Sequence, residues 1–280
     1  VLGRRVRLPV LRVVAPGAFL AIDPDESGDD APVVLLPSAD VPAETRAGDM
    51  IEVFLYLDSD DRPIATTREP RLTLGEVTFL EVTAITQIGA FVDWGLAKEL
   101  LVPYAEQGRE LHVGERQPIG LYLDKSKRLA GTMFVTEMLG LPPSGIRAGA
   151  WVSGEAWRNE PELGLFAILE RSYVGLVPAS EPHRLRRGER AEFRIAHVLP
   201  DGKVVLSLRK HAHEEIASDA ETILAVLSRA GAPAVGDRSD PEVIRDLFGL
   251  SKKAFKRAVG GLLKAGKVVI DDRGCVVVRH

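Results

Sequence analysis

The chain has 280 residues, of which 45% are hydrophobic and 27% charged, and its formal net charge is −4. This length allows one large domain or several small ones, and the acidic balance argues against a protein that coats nucleic acid indiscriminately. The single cysteine, Cys275, excludes an internal disulfide and favours a reducing, cytoplasmic environment. No apolar run reaches the roughly 18 residues of a membrane span, so we expect no membrane partner.

Strand-like alternation starts at the N-terminus. Residues 1–14, VLGRRVRLPVLRVV, alternate arginine with apolar side chains, which predicts a β-strand. The strand leads into a pattern that recurs three times, as GAFLAID, GAFVDWG and GLFAILE at residues 17–23, 89–95 and 164–170. Each is followed by an apolar run into a proline, and then by a Gly-acidic pair that opens another strand. Three occurrences in the same order define a repeat unit of about 70 residues.

Each repeat unit has the composition of an all-β domain. Runs of β-branched and aromatic residues alternate with polar ones and are separated by Gly, Pro and Asp clusters. In the first unit, VFLYLDSDDRPIAT at 53–66 predicts a hairpin that turns at SDDR. Five short strands in so few residues would leave sticky edges in an open sheet. We therefore expect a small closed barrel of the OB type in each unit.

After Lys210 the pattern becomes helical. A first helix is predicted by the spacing of Ile216, Ala220, Ile223, Leu224 and Leu227. The stretch SDPEVIRDLFGL at 239–250 predicts a second, with Ser239 or Asp240 as N-cap and a proline at the first helical position.

A third helix and a hairpin complete the C-terminal segment. The stretch SKKAFKRAVGGLLKAGKV at 251–268 predicts a helix capped by Ser251, with an apolar stripe at Phe255, Val259, Leu262 and Leu263. The end, VVIDDRGCVVVRH, predicts two β runs around a turn. Three helices followed by a hairpin are the order of a winged helix, so the chain is predicted to be mainly β with an α+β C-terminal domain.

The repeated motifs resemble the S1 RNA-binding domain, a five-stranded OB barrel. The whole chain resembles the bacterial conserved virulence factor B family, also called the YitL family, most specifically in GAFVDWGLAKELLVP and SKKAFKRAVGGLLK. The resemblance implies three tandem S1-type barrels at 1–70, 71–140 and 141–213 and a winged helix at 214–280. It also implies an RNA-binding protein that affects gene expression and has no enzymatic activity.

The S1 motif is incomplete in every unit. RNA-binding S1 domains carry two aromatic residues on strand 2, and the second is kept here as Phe19, Phe91 and Phe166. The first is replaced by Pro16, Ile88 and Leu163, and a histidine after the following strand is replaced by Pro37, Pro103 and Pro178. The Asp and Arg of the strand 4–5 turn are kept as Asp58 with Arg62 and Asp124 with Arg128, whereas Leu199 and Lys203 stand in the third unit. Any one barrel is therefore expected to bind weakly or to be purely structural.

In the second unit, Phe91 is the candidate platform for stacking a base, with Lys98 and Arg128 as nearby cations. The alternative is that Phe91 packs inside the barrel. Trp94 has the opposite strand parity and is expected to be buried or to contact a neighbouring domain. Tyr104 supplies either a second ring or packing within its loop.

Basic residues concentrate in the second half of the chain. Residues 1–70 have a net charge of −6 and residues 71–140 of −2, whereas residues 141–213 carry +3 and residues 214–280 carry +1. The acidic loop DPDESGDD at 23–30 would repel phosphate.

The third-unit candidates for RNA binding are Phe166, Arg158, Arg171, Arg186 and Arg187. Arg186 and Arg187 belong to an arginine-rich loop, HRLRRGER, which could equally be a solvated surface. The winged-helix candidates are Lys252, Lys253, Lys256 and Arg257, which lie opposite the apolar stripe, either as a groove-binding face or as a solubilising surface.

Two functions follow from these features. The first is a non-catalytic regulator that binds single-stranded RNA along the second and third barrels and the winged helix and acts post-transcriptionally. The alternative is a DNA-binding transcription regulator that uses the winged helix, with the barrels as dimerisation or ligand modules; the acidic turn at Asp271 and Asp272 weakens this. The sequence identifies no protein partner.

Little in the sequence favours an enzyme. There is no Cys/His metal spacing, no glycine-rich phosphate loop and no convincing carboxylate cluster, so we expect no cofactor and no metal. The one stretch with possible metal ligands is HAHEE, which contains His211 and His213 next to Glu214 and Glu215.

Overall fold

A computed structural model describes residues 2–22, 32–208, 212–229 and 234–279. The DPDESGDD loop at 23–30 and His211 lie outside the described residues, as do the side chains of His213, Glu214 and Glu215. The chain divides into two compact units, Val1–Ser207 and Leu208–His280, and we describe each by itself.

The first unit contains three five-stranded barrels. The first barrel consists of β1 Arg5–Val14, β2 Gly17–Ala21, β3 Val33–Pro37, β4 Met50–Leu57 and β5 Pro63–Thr66, closed in the order β1-β2-β3-β5-β4. The second consists of β6 Val77–Thr86, β7 Gly89–Asp93, β8 Leu100–Pro103, β9 Arg116–Leu123 and β10 Leu129–Thr132. The third consists of β11 Trp151–Glu160, β12 Gly164–Leu169, β13 Tyr173–Pro178, β14 Arg190–Val198 and β15 Val204–Ser207, closed in the same order as the first. The predicted fold class is confirmed.

The second barrel differs from the others at one seam. In the first and third barrels the third and fifth strands pair in parallel, for example Leu35 with Ile64 and Gly175 with Val204. The second barrel keeps the same strand order, β10-β9-β6-β7-β8, and its end strands β8 and β10 lie side by side. Within the described chain, however, these two strands share no hydrogen-bonded ladder.

The repeated glycine of the GAF and GLF motifs has a structural cause. Gly17, Gly89 and Gly164 have φ angles of 144°, 148° and 122°, in a region that L residues rarely adopt. A Cβ atom at these positions would lie only 2.0, 2.3 and 2.0 Å from a backbone carbonyl oxygen of the adjacent strand. The repeat therefore marks the start of the second strand of each barrel, where two backbones approach too closely for a side chain.

The first two barrels are joined by aromatic packing. Trp94, at the end of β7, is 2% exposed and packs edge-on against Phe54 and Tyr56 of β4, with ring centroids 5.8 and 6.3 Å apart. The Trp94 indole N–H also donates to the carbonyl oxygen of Lys98 over 2.5 Å. Trp94 was expected to be buried or to contact a neighbouring domain, and it does both.

The second and third barrels share a mixed polar and apolar junction. Phe79 of β6 and Trp157 of β11 belong to one buried cluster, against which Phe166 packs. Beside it, the carboxylate of Glu155, only 7% exposed, accepts hydrogen bonds from the Thr78 hydroxyl over 2.7 Å and from the Phe79 N–H over 3.0 Å. Two buried donors of the second barrel thus depend on one acceptor of the third.

The second unit has the helix, helix, helix, hairpin order that the sequence predicts: α1 Ala212–Leu227, α2 Pro241–Phe248, α3 Lys252–Lys264, β16 Val268–Ile270 and β17 Val276–Val278. Asp240 caps α2 and Ser251 caps α3, each through a side-chain oxygen that accepts a backbone N–H. No helix in the described ranges is long and apolar enough to cross a membrane.

The predicted apolar stripe on α3 is wrong at one residue, Leu263. Phe255, Val259 and Leu262 are buried, but Leu263 is exposed, and Ala258 takes its place in the core. The reason is geometric, because adjacent helical residues are about 100° apart and Leu262 already faces the core.

Candidate nucleic-acid interface

The three repeated phenylalanines occupy the same outward position on their barrels. Phe19, Phe91 and Phe166 are half-buried, whereas the residues on either side of each in its strand are buried in the core. Phe91 is therefore not a core residue, and the alternative that it packs inside the barrel is wrong.

The residue paired with each phenylalanine on the preceding strand decides whether the ring is covered. Phe19 pairs with Arg12 and Phe166 with Arg158, and the guanidinium carbon lies 4.6 and 4.7 Å from the respective ring centroid. Both are cation–π contacts. In the second barrel the equivalent residue is Ala84, which has no such group. Among the described residues, no cation is stacked over Phe91.

A bulge places these paired residues. The ladder to the second strand shifts register between Val10 and Arg12, and equivalent shifts occur in the other two barrels. A bulge of this kind re-aims one side chain out of the strict alternation. The difference between Arg12, Ala84 and Arg158 can be found by aligning the three repeats, but our sequence analysis missed Ala84.

A groove of about 250 Å³ runs beside Phe91 over the seam between β8 and β10. Its walls include Tyr56 of the first barrel and Ile88, Phe91 and Trp94 of the second. Burial, with a smaller contribution from Asp40, raises the pKa of Tyr56, so its hydroxyl stays protonated. Three of the predicted site residues, Phe91, Lys98 and Arg128, line this one groove.

Both cations of the groove are engaged by the turn of the first barrel. The Lys98 ammonium donates to the carbonyl oxygen of Asp58 over 2.6 Å and lies 3.3 Å from the carboxylate of Asp61. The Arg128 guanidinium lies 3.1 Å from the same carboxylate. With Glu99 and Asp124 also in the lining, the groove has two cations against three carboxylates. It therefore suits an uncharged planar ring better than a phosphate.

The turn that carries Asp61 is itself ordered by a side-chain network. The backbone N–H and then the guanidinium of Arg62 donate to Asp58 and hold the pKa of that carboxyl below its usual range. In the second barrel Asp124 accepts the backbone N–H of Arg128 over 2.9 Å. The paired Asp and Arg of the S1 pattern thus shape the turn in both barrels.

Tyr104 lies outside the groove. It is 49% exposed, and its hydroxyl donates to the carbonyl oxygen of Thr86 over 2.7 Å. The ring is thus exposed while the hydroxyl is tied to the β6–β7 turn.

The third-barrel candidates are brought together in a different way. Arg158 is stacked on both Trp157 and Phe166 and lies 3.4 Å from Glu160, so these residues form a closed set. Arg171 lies at the junction with the second barrel, 3.6 Å from Glu76.

The arginine-rich loop does not join this closed set. Arg187 donates to Gln117 over 2.8 Å and lies over Phe79 at 5.2 Å. Burial and then the nearby Arg109 lower the pKa of Arg187. Arg186 is exposed, and neither it nor Arg187 lines the Phe91 groove.

In the second unit, α3 carries the predicted basic face. Lys253, Lys256 and Arg257 are exposed, and Lys252 is half-buried. The Lys256 ammonium lies 2.6 Å from Asp237 and is the main cause of the lowered pKa of that carboxyl. Asp271 of the wing accepts backbone N–H groups of its own turn. The described residues contain no group of three or more His, Cys, Asp or Glu side chains that could hold a metal ion.

Comparison with known proteins defines the class to which this architecture belongs. The S1 domain family model matches residues 2–68 and 74–134, and the CvfB-like winged helix domain model matches residues 221–275. The molecule is therefore a protein of tandem S1 barrels with a winged helix, two kinds of nucleic-acid-binding domain.

The chain belongs to the family of YitL and conserved virulence factor B. It is 31% identical to the "Uncharacterized protein YitL" of Bacillus subtilis, over 95% of this chain and 90% of that protein. It is 29% identical to "Conserved virulence factor B" of Staphylococcus epidermidis, over 81% of this chain and 82% of that protein. A crystal structure of a multidomain protein with nucleic acid binding domains from Streptococcus pneumoniae aligns with 99% of this chain and 98% of its own, at 24% identity and a TM-score of 0.43.

Proposed function

We propose that the protein is a non-catalytic RNA-binding protein that holds single-stranded RNA and regulates gene expression post-transcriptionally. The observation that carries the proposal is the uncovered ring of Phe91, which faces a groove, while the equivalent rings of the other two barrels lie under arginines. The protein's Staphylococcus relatives carry the name conserved virulence factor B, and a protein with two kinds of nucleic-acid-binding domain can act in virulence by regulating gene expression.

The chemistry of the groove favours an unpaired base. A base stacked on an aromatic side chain contributes about 1–3 kcal/mol, and every base has a face that can stack. Inside a duplex this face is occupied by the neighbouring bases, so only a single strand can offer it. The excess of carboxylates in the groove keeps phosphates out and leaves the ring to the base.

Titration of short homopolymeric RNAs against the intact protein tests the proposal. We expect Phe91→Ala to weaken binding by about 5- to 150-fold, the equivalent of one lost stack. Phe19→Ala is the matched control, because it removes the same ring at the equivalent position, where Arg12 covers it. Equal effects of the two substitutions, in proteins with unchanged thermal unfolding, would reject Phe91 as the platform. Failure of the wild-type protein to bind any single strand would reject the function.

The second candidate, a DNA-binding regulator, is supported by the basic face of α3. Charge reversal of Lys252, Lys253 and Lys256 distinguishes the two functions in a parallel titration with duplex DNA. If RNA is the ligand, duplex DNA binds more weakly than single-stranded RNA in the wild-type protein. Tighter binding to duplex DNA that depends on the α3 lysines would favour the alternative.

A further inference from the structure

A second cavity, of about 540 Å³, opens between the second and third barrels. Four arginines, Arg71, Arg116, Arg171 and Arg190, line it with two glutamates, Glu155 and Glu189. This balance is the reverse of that in the Phe91 groove. We call this cavity the arginine cleft.

Four arginines against two glutamates leave the lining of the arginine cleft with an excess of two positive side chains. Glu155 is buried, and its carboxylate accepts from Thr78 and Phe79 of the second barrel, as described above. Arg116 lies 3.8 Å from Glu155 and is held mainly by the carbonyl oxygens of Gly188 and Phe79, each over 3.2 Å. A guanidinium has five donors, so one that binds carbonyl oxygens in this way can still bind an anion.

The remaining arginines differ in how firmly they are held. Arg71 is paired with Asp93 over 2.6 Å, and Arg171 lies 3.6 Å from Glu76, both acids outside the cleft lining. Arg190 is exposed at the start of β14 and is one of the residues that line the cleft. Arg116 and Arg190 are therefore the residues best placed to bind an anion from solvent.

Strand β6 runs from the arginine cleft to the residue that pairs with Phe91. On β6, Ala84 pairs with Phe91, whereas Glu81 pairs with Asp93 on one side and with Arg116 on the other. Phe79, farther along the same strand, lines the cleft. With a rise of about 3.3 Å per residue, Phe79 and Ala84 are about 16 Å apart along β6. A separation of this size along β6 is one that a strand of a few nucleotides can span.

We propose that the arginine cleft binds the phosphodiester backbone of the nucleic acid strand whose base stacks on Phe91, with Arg116 and Arg190 as the phosphate ligands. The proposal rests on the proposed function and deepens it. A groove with excess carboxylates can accept a base but needs its phosphates neutralised elsewhere, and arginine is the side chain best suited to bind phosphate oxygens.

The salt dependence of binding tests this assignment. For single strands the slope of log K against log salt concentration is about −0.7 per neutralised phosphate. We expect Arg190→Gln to weaken binding of all homopolymers alike and to reduce the slope by about 0.7, and Arg190→Lys to retain it. Arg46→Gln is the charge-matched control, because Arg46 is exposed on the first barrel, and its slope should equal that of the wild type.

An abasic oligodeoxynucleotide separates the two sites, since it has phosphates but no bases. Arg190→Gln should weaken its binding as it weakens that of RNA, whereas Phe91→Ala should have no effect on it. An unchanged slope in Arg190→Gln and in Arg116→Gln/Arg190→Gln, with Phe91→Ala still impaired on RNA, would overturn the arginine cleft and leave the proposed function intact. A wild-type protein that binds neither probe would overturn both.

Discussion

The second and third barrels have the same strand order, the same glycine and the same outward phenylalanine, but only the second offers its ring to a groove. In the third barrel Arg158 is stacked on Phe166, and the surrounding face packs against the second barrel through the cluster of Phe79 and Trp157. In the second barrel the paired residue is Ala84, and the seam between β8 and β10 forms part of a groove. A repeat that keeps its framework can therefore divide the roles, with one copy free to bind and another used to build the junction.

Substitution of Glu155 should destabilise the junction between the second and third barrels more than any other change proposed here. Glu155→Ala leaves the Thr78 hydroxyl and the Phe79 N–H of the second barrel without their acceptor. We expect the free energy of unfolding to fall by about 2–4 kcal/mol, because each buried donor left unsatisfied costs about 1–3 kcal/mol and the adjoining cleft can admit water. Denaturant-induced unfolding measures this.

Glu192→Ala is the control for Glu155→Ala. It makes the same substitution at an exposed position on β14 of the third barrel, where we expect a change within about 0.5 kcal/mol. Similar unfolding curves for the two variants would show that the third barrel does not depend on the buried carboxylate at its junction.

One substitution should cover the ring of Phe91 in the way that Arg12 covers Phe19 and Arg158 covers Phe166. Ala84→Arg places over Phe91 the guanidinium that the other barrels already have. The base-dependent part of binding, taken as the ratio of affinities for an oligonucleotide and its abasic analogue, should fall about tenfold, close to the loss of one stack. Ala84→Lys adds the same charge without a planar group and should preserve most of the ratio. If both variants retain the wild-type ratio, Phe91 does not stack a base.

These differences show how far the sequence alone could be interpreted. The three barrels, the winged helix, the cap at Ser251 and the burial of Trp94 follow from periodicity, turn residues and strand parity, all of which are local. Phe19 and Phe166 are covered because an arginine of the preceding strand pairs with each of them across a bulged ladder. The repeat motif by itself does not contain that pairing. Likewise, Lys98 and Arg128 were predicted as cations for RNA, but their pairing with Asp61 arises from contact between two barrels.

The same reasoning explains why the arginine cleft was overlooked. Of its four arginines, only Arg171 is a predicted site residue, since Arg71, Arg116 and Arg190 come from three separate segments. Arg71 and Arg116 each lie within two residues of a glutamate, and Arg190 ends the arginine-rich loop but was not among the predicted site residues. Only the packing of β6, β9 and β14 at the junction gathers them.

The smallest expected effect comes from removing the arginine that covers Phe166 in the third barrel. Arg158→Ala removes the guanidinium from Phe166 and Trp157, but Phe166 stays partly covered by the cluster at the junction. We therefore expect base-dependent affinity to rise only two- to fivefold, which is about 0.4–1 kcal/mol and less than a full stack. Arg158→Lys retains the charge without the planar stacking surface, so it separates uncovering of the ring from loss of charge. If Arg158→Ala does not increase the base-dependent affinity, contact with the second barrel is sufficient to keep a base from stacking on Phe166. In that case the division of roles between the two copies depends on how the barrels pack, and the arginine is a secondary feature.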